Sequence, residues 1–187
     1  MRSEEWVMGD ETWYVWSPDL EDDPEYEKIA GAVEEFESLD TAPGRDATRW
    51  LREEALDNHP STITRLMVLD DRVEGFYAIS SAHIRLSQRH RKRALRNHRA
   101  HRLHPEQPAS LIPWLAKRWD AKIDALPLIL HAAYIASEVA ELQGNIALAI
   151  DPYDEDVAEI WTKRYGFRAS SQDASEGKSR RLWLPLF

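Results

Sequence analysis

The chain has 187 residues, a net charge of −9, eight tryptophans and no cysteine. That length suits a single domain over 1–187 with a sizeable core. The absent cysteine excludes disulfides and thiolate chemistry, and no run is long and apolar enough to span a membrane. Met1 to Glu5 are largely charged and no apolar stretch follows, so no secretory leader is expected and a cytoplasmic location is.

The first predicted element is a strand at Thr12–Trp16, aromatic and β-branched, ended by Pro18. An acidic connection from Asp19 to Glu27 leads into a helix over Tyr26–Leu39, with Ile29, Ala32, Val33 and Phe36 on one side. Asp40–Asp46 reads as a loop broken by Pro43-Gly44, and Asp46–Asn58 as a second helix that stops before Pro60. Ile63–Leu69 and Val73–Ser80 form a hairpin around Asp70-Asp71-Arg72, and His83–Leu86 continues its second strand.

A basic insertion follows, at about 85–105. Between Arg85 and Arg102 stand seven arginines and one lysine with no acidic residue, so the segment carries +8 and leaves −17 elsewhere. Arginine forks suit phosphate geometry and stack on bases, which points Arg89, Arg91, Lys92, Arg93, Arg96 and Arg99 toward RNA. The alternative is a solvated face or a dock for an acidic protein. His98, His101 and His104 offer no metal site, because a cation among these charges would be repelled.

Ser110–Ala116 is then a strand, Lys117–Asp124 a loop, and the next segment a long helix. Leu128, Ala132, Ile135, Val139 and Leu142 step by four and three and give it one apolar face. Asp124 caps its start, Pro127 fits its first turn and Gly144 closes it. A strand at Ile146–Ile150 completes the unit. The loop aims backbone N–H groups beyond the strand end, where a phosphate-bearing cofactor would sit. The last helix, Asp154–Tyr165, has Glu155 and Asp156 in its first turn, Lys163 and Arg164 in its last, and Gly166 after it, all matching the helix dipole and a left-handed cap. Strands at Phe167–Ser170 and Arg181–Leu186 end an α/β domain built on a mixed sheet with helices on both faces.

This order resembles the GNAT (Gcn5-related) N-acetyltransferase fold. Trp161-Thr162-Lys163-Arg164-Tyr165-Gly166-Phe167 is similar to the end of that family's last helix, usually F-Y-x-x-x-G-F. Phe36-Glu37-Ser38-Leu39, Trp50-Leu51, Ala55-Leu56-Asp57-Asn58 and Val73–Ile79 resemble the branch of toxins, from toxin–antitoxin pairs, that acetylate aminoacyl-tRNA. The resemblance implies acetyl-CoA as acyl donor, tRNA and an antitoxin protein as partners, and a homodimer. It implies pantetheine pairing along Leu115, Ala116 and Lys117, and a pyrophosphate at Lys122, Ile123, Asp124 and Ala125. It sets Trp161 beside the cofactor and the leaving thiolate's acid at Thr162 or Tyr165.

Two features depart from the family pattern. The loop Trp119–Pro127 has no glycine where Q/R-x-x-G-x-G/A is usual, so close backbone approach to phosphate is hindered, and Asp124 adds a negative charge. Thr162 stands at the usual tyrosine position, and an alcohol is a far weaker acid than a phenol of pKa about 10. Tyr165 is the substitute, or else a core residue of the Val157–Trp161–Tyr165 face. Two functions follow: an N-acetyltransferase acting on a primary amine, with aminoacyl-tRNA foremost, or a GNAT-like domain without catalysis that binds RNA or a protein. Glu74 and His83 read as surface residues near the substrate side.

Overall fold

The structure is a computed structural model that describes residues 11–19, 24–89, 104–170 and 180–186. Its elements are β1 (Thr12–Trp16), α1 (Tyr26–Glu34), α2 (Ala42–Arg49), β2 (Thr62–Leu69), β3 (Arg72–Arg85), β4 (Glu106–Ile112), β5 (Leu115–Lys117), α3 (Leu126–Gln143), β6 (Ala147–Ile150), α4 (Glu155–Tyr165), β7 (Arg168–Ala169) and β8 (Leu182–Pro185). The architecture is α/β, with a mostly antiparallel sheet and helices. The chain forms two compact units, one holding the residues up to Ser80 with Pro113–Ala132, the other Ser81–Ile112 with Ala133–Phe187.

In the first unit β1, β2 and β3 are antiparallel neighbours, and β5 pairs with β3. The hairpin loop is two residues, Asp70 and Asp71, both at positive φ, and Arg72 already pairs with Leu69. Two residues at positive φ match the right-handed strand twist, so the expected three-residue turn shortens by one. Val73 to Ile79 are buried without alternation, as a strand covered on both faces requires. One core gathers Phe36, Trp50, Leu51, Leu66 and Phe76. Phe76 meets Phe36 edge-on at 5.4 Å and stacks on Trp50 at 6.0 Å. Gly75 admits Leu128, because a Cβ there would lie 2.8 Å from its Cδ1.

Helix α1 stops at Glu34, short of the expected Leu39. The carbonyls of Glu35, Phe36 and Glu37 accept instead from Arg118 Nη1, Arg52 Nη2 and Trp119 N at 2.9, 2.7 and 2.9 Å. The second helix begins at Ala42, inside the expected loop. Thr41 caps it by accepting the Gly44 N–H at 3.2 Å, and Pro43 occupies its first turn, where a missing N–H costs nothing. A Cβ on Gly44 would strike the Leu39 carbonyl oxygen. A π-helical turn, Trp50–Glu54, continues α2.

The expected single strand Ser110–Ala116 is two strands. β4 runs parallel to β6 in the second unit, whereas β5 lies antiparallel to β3 in the first. Pro113, which lacks an N–H, interrupts the ladder between them, and Trp114 turns its carbonyl to Ala78 N at 2.9 Å. The second unit continues β6, β8, β7 with antiparallel pairs, and its core joins Ile84, Leu86, Ala109, Ala147, Ala149 and Trp183.

Helix α3 has Pro127 in its first turn and Gly144 at φ 74° after its end, as expected. Its buried line is Leu128, Ala132, Ala136 and Ala140, in steps of four, so Leu142 of the expected apolar face is 87% exposed. Helix α4 follows the sequence reading at both ends: Asp154 accepts Val157 N–H at 2.8 Å and Gly166 caps at φ 76°. Arg181 clasps Asp151, just after β6, through two 2.6 Å bonds.

Candidate functional site

β5 supplies the first part of the candidate site. Ala116 is buried, Leu115 and Lys117 half-buried. Among the described residues β5 has β3 as its only strand partner, which leaves the groups on its other edge without a ladder. Such an edge can pair with the amides of an extended ligand.

The loop after β5 is held without glycine. Arg118 N donates to Glu74 O at 2.8 Å, Trp119 N to Glu37 O at 2.9 Å, and Ala121 N to Arg118 O at 3.2 Å. Lys117 Nζ reaches across the loop to Ile123 O at 3.1 Å. Arg118 Nε and Arg72 Nη2 grip Asp120 at 2.9 and 2.8 Å. The Arg72 bond, with the Arg118 bond behind it, holds the Asp120 carboxyl below the usual carboxylate range. Two of the loop's three cations are therefore already occupied. Lys122 is exposed and has no partner among the described residues.

At the start of α3, Ala125 gives its carbonyl to Ile129 N at 3.2 Å, so it is the residue before the first helical turn. The Asp124 carboxylate, one residue earlier, accepts Ala125 N–H at 2.6 Å. A phosphate approaching that N–H would meet a carboxylate already there. Ile123 is half-buried and Asp124 exposed.

In the second unit, Trp161 is buried, with Phe167 edge-on at 5.0 Å and Tyr165 tilted at 5.4 Å. Tyr165 is half-buried, with the Arg164 guanidinium 5.6 Å from its ring centre. Thr162 is exposed. Of the two candidate acids, Tyr165 is thus the one in an aromatic setting.

The basic insertion leaves and returns at one point, where Leu86 N donates to Pro105 O at 2.8 Å. Arg89 is exposed; Arg91, Lys92, Arg93, Arg96 and Arg99 lie outside the described residues. Glu74, read from sequence as a surface residue, is buried on β3 with Arg72 Nε at 4.0 Å, whereas His83 is exposed as expected. Among the described residues no group of three or more His, Cys, Asp or Glu side chains could hold a metal ion, and no helix is long and apolar enough to cross a membrane.

Sequence reasoning missed a buried polar set in the first unit. His131 on α3 accepts or donates at Nδ1 opposite the Tyr77 hydroxyl at 3.0 Å, and its ring stacks on Trp13 at 3.8 Å. Burial, helped by the Arg65 charge, lowers His131 to about 4, and burial raises the Tyr77 phenol above its usual range. A histidine within the apolar first half of this helix, Leu126–Ala136, was the available signal.

No protein-family model and no curated protein sequence matches the chain. Solved structures do. A tyrosine-to-phenylalanine mutant of KacT superposes with a TM-score of 0.70 at 15% identity, over 95% of this chain and 96% of that one. AtaT complexed with acetyl-methionyl-tRNAfMet gives 0.70 at 15%, over 94% and 95%. AtaTR bound with acetyl-CoA gives 0.62 at 15%, over 95% and 94%. At such identities the likeness speaks to fold, and the fold is the GNAT fold that the motifs implied.

Proposed function

We propose that this protein is an acetyl-CoA-dependent N-acetyltransferase whose acceptor is the amino group of an aminoacyl-tRNA, acting as a toxin with an antitoxin partner. The observation that carries the reading is near-complete coverage by AtaT in its complex with acetyl-methionyl-tRNAfMet, joined to the +8 insertion in this sequence. Acetyl-CoA would lay its pantetheine along the free edge of β5, with Lys122 as the available cation for its phosphates. The neutral amine attacks the thioester carbonyl carbon; the tetrahedral adduct collapses, the C–S bond breaks, and the amine proton ends on the departing thiolate. An α-amino group of pKa near 8 is partly neutral at pH 7, so no strong base is required. Tyr165 is the residue proposed to deliver the proton, and Thr162 is not.

A second reading rests on one specific observation. The Asp124 carboxylate occupies Ala125 N–H in a glycine-free loop, which favours a domain that keeps the fold and binds RNA or a protein without catalysis. Calorimetry with acetyl-CoA, followed by mass spectrometry of charged tRNA incubated with protein and donor, separates the two. The enzyme reading expects micromolar or tighter binding, about −8 kcal/mol, and an added acetyl group on the aminoacyl moiety. No heat at saturating donor and no acetylation would leave the binding module.

A further inference from the structure

Trp119 is 58% exposed, yet its own backbone and both its neighbours are tied to other segments of the first unit. Lone exposed apolar side chains are ordinary, so exposure alone says nothing; the backbone around this one says more. Here the preceding residue, Arg118, is tied by its backbone to Glu74 O and by its guanidinium to Glu35 O and Asp120. Trp119 itself is tied to Glu37 O, and the following residue, Asp120, to Arg72. Apart from Asp120 itself, these partners lie on β3 and on the chain just after α1. Long-range bonds on both sides of the residue fix where its Cα stands while its indole is left out of the core. That is a pre-organised aromatic surface, and such a surface loses little entropy when a flat partner covers it.

We propose that Trp119 is a stacking platform for the adenine base of the acyl donor, which makes it a determinant of preference for coenzyme A over shorter pantetheine thioesters. The inference rests on the acetyltransferase reading, since it takes the loop after β5 as the donor's phosphate end. The chemistry favours a base: stacking on an exposed indole needs no hydrogen-bond partners, and the charged residues on either side of Trp119, Arg118 and Asp120, are already paired with each other and Asp120 with Arg72 of β3. It also offsets the poor phosphate site. A loop whose Arg118 and Lys117 are engaged and whose Asp124 repels phosphate needs another source of affinity for the nucleotide end.

The test compares acetyl-CoA with acetyl-phosphopantetheine, which lacks the adenosine 3′,5′-bisphosphate half, by calorimetry on the full chain, and the Trp119 variants separate the base from the two lost phosphates. Wild type should bind acetyl-CoA at least about fivefold more tightly, and Trp119→Ala should lose that margin while binding acetyl-phosphopantetheine unchanged; Trp119→Phe should keep most of it. Indole fluorescence should fall further on acetyl-CoA binding in wild type than in Trp119→Phe, the difference being the Trp119 contribution. Equal affinity of wild type for the two donors, or equal losses for both donors in Trp119→Ala, overturns the stacking inference and leaves the acetyltransferase reading intact. If wild type binds neither donor, the acetyltransferase reading itself fails. If Trp119→Ala instead keeps its acetyl-CoA affinity and loses affinity for charged tRNA, the ring serves the RNA and the inference is wrong.

Discussion

The Tyr77 hydroxyl and His131 Nδ1 stand 3.0 Å apart, both side chains buried, with the His131 ring stacked on Trp13. Burial first, and the Arg65 charge second, lower His131 to about 4 from 6.5. The unfolded chain therefore binds a proton between those values that the folded chain refuses. Stability from this residue is complete above pH 6.5 and declines as pH falls toward 4, by up to roughly 3 kcal/mol. Denaturant midpoints measured from pH 7 to 4 should show that decline, and His131→Phe should flatten it. The same variant strips the Tyr77 hydroxyl of its imidazole partner, at about 1–3 kcal/mol, which Tyr77→Phe added to it should largely restore. A slope unchanged in His131→Phe would place the proton uptake elsewhere.

Gly75 is held by steric fit, because Leu128 Cδ1 would lie 2.8 Å from a Cβ and the Ala116 carbonyl oxygen 3.1 Å. Gly75→Ala should destabilise the protein by about 1–3 kcal/mol through overpacking, readable as a lower urea midpoint. Shortening the neighbour, Leu128→Ala, should recover little, since it opens a cavity of its own.

Asp124 makes a prediction of opposite sign for binding. Asp124→Asn keeps an acceptor for Ala125 N–H and removes the negative charge, so acetyl-CoA should bind several-fold more tightly by calorimetry, with thermal stability within about 0.5 kcal/mol of wild type. Weaker or unchanged donor binding would mean that no phosphate lies at the start of α3.

Replacing Arg91, Lys92 and Arg93 with alanine should weaken tRNA binding at any sequence and lower its log–log salt slope by roughly two to three. Acetyl-CoA binding should not move. Wild type that fails to bind tRNA at low salt would leave the +8 segment as a solvated insertion or a dock for an acidic protein.

Much of the chain was determined by its sequence, wherever the deciding partners are near neighbours. The ends of α4 follow from Asp154, the charges of its first and last turns and Gly166, all within one helix. The β2–β3 hairpin follows from the turn residues Asp70-Asp71-Arg72 between β-rich runs, although Arg72 joins the strand, and the exclusion of disulfides follows from composition alone. The order of elements was enough to indicate the GNAT fold. Tertiary structure decided what depends on distant partners. Helix α1 ends at Glu34 because Arg118, 83 residues beyond Glu35, takes that carbonyl, and Arg52 and Trp119 take the next two. Tyr77 and His131 are 54 residues apart, and nothing local in either segment announces the other. Pro113 was visible in the sequence, but β4 and β5 become separate strands only through their partners, β6 for one and β3 for the other. Glu74 is buried because β3 is covered on both faces, and Trp119 stands exposed because the bonds beside it fix the backbone and leave the ring outside. Local propensity reaches about one helical turn along the chain, whereas these placements are set by hydrogen bonds and packing between segments that meet only when the sheet is assembled.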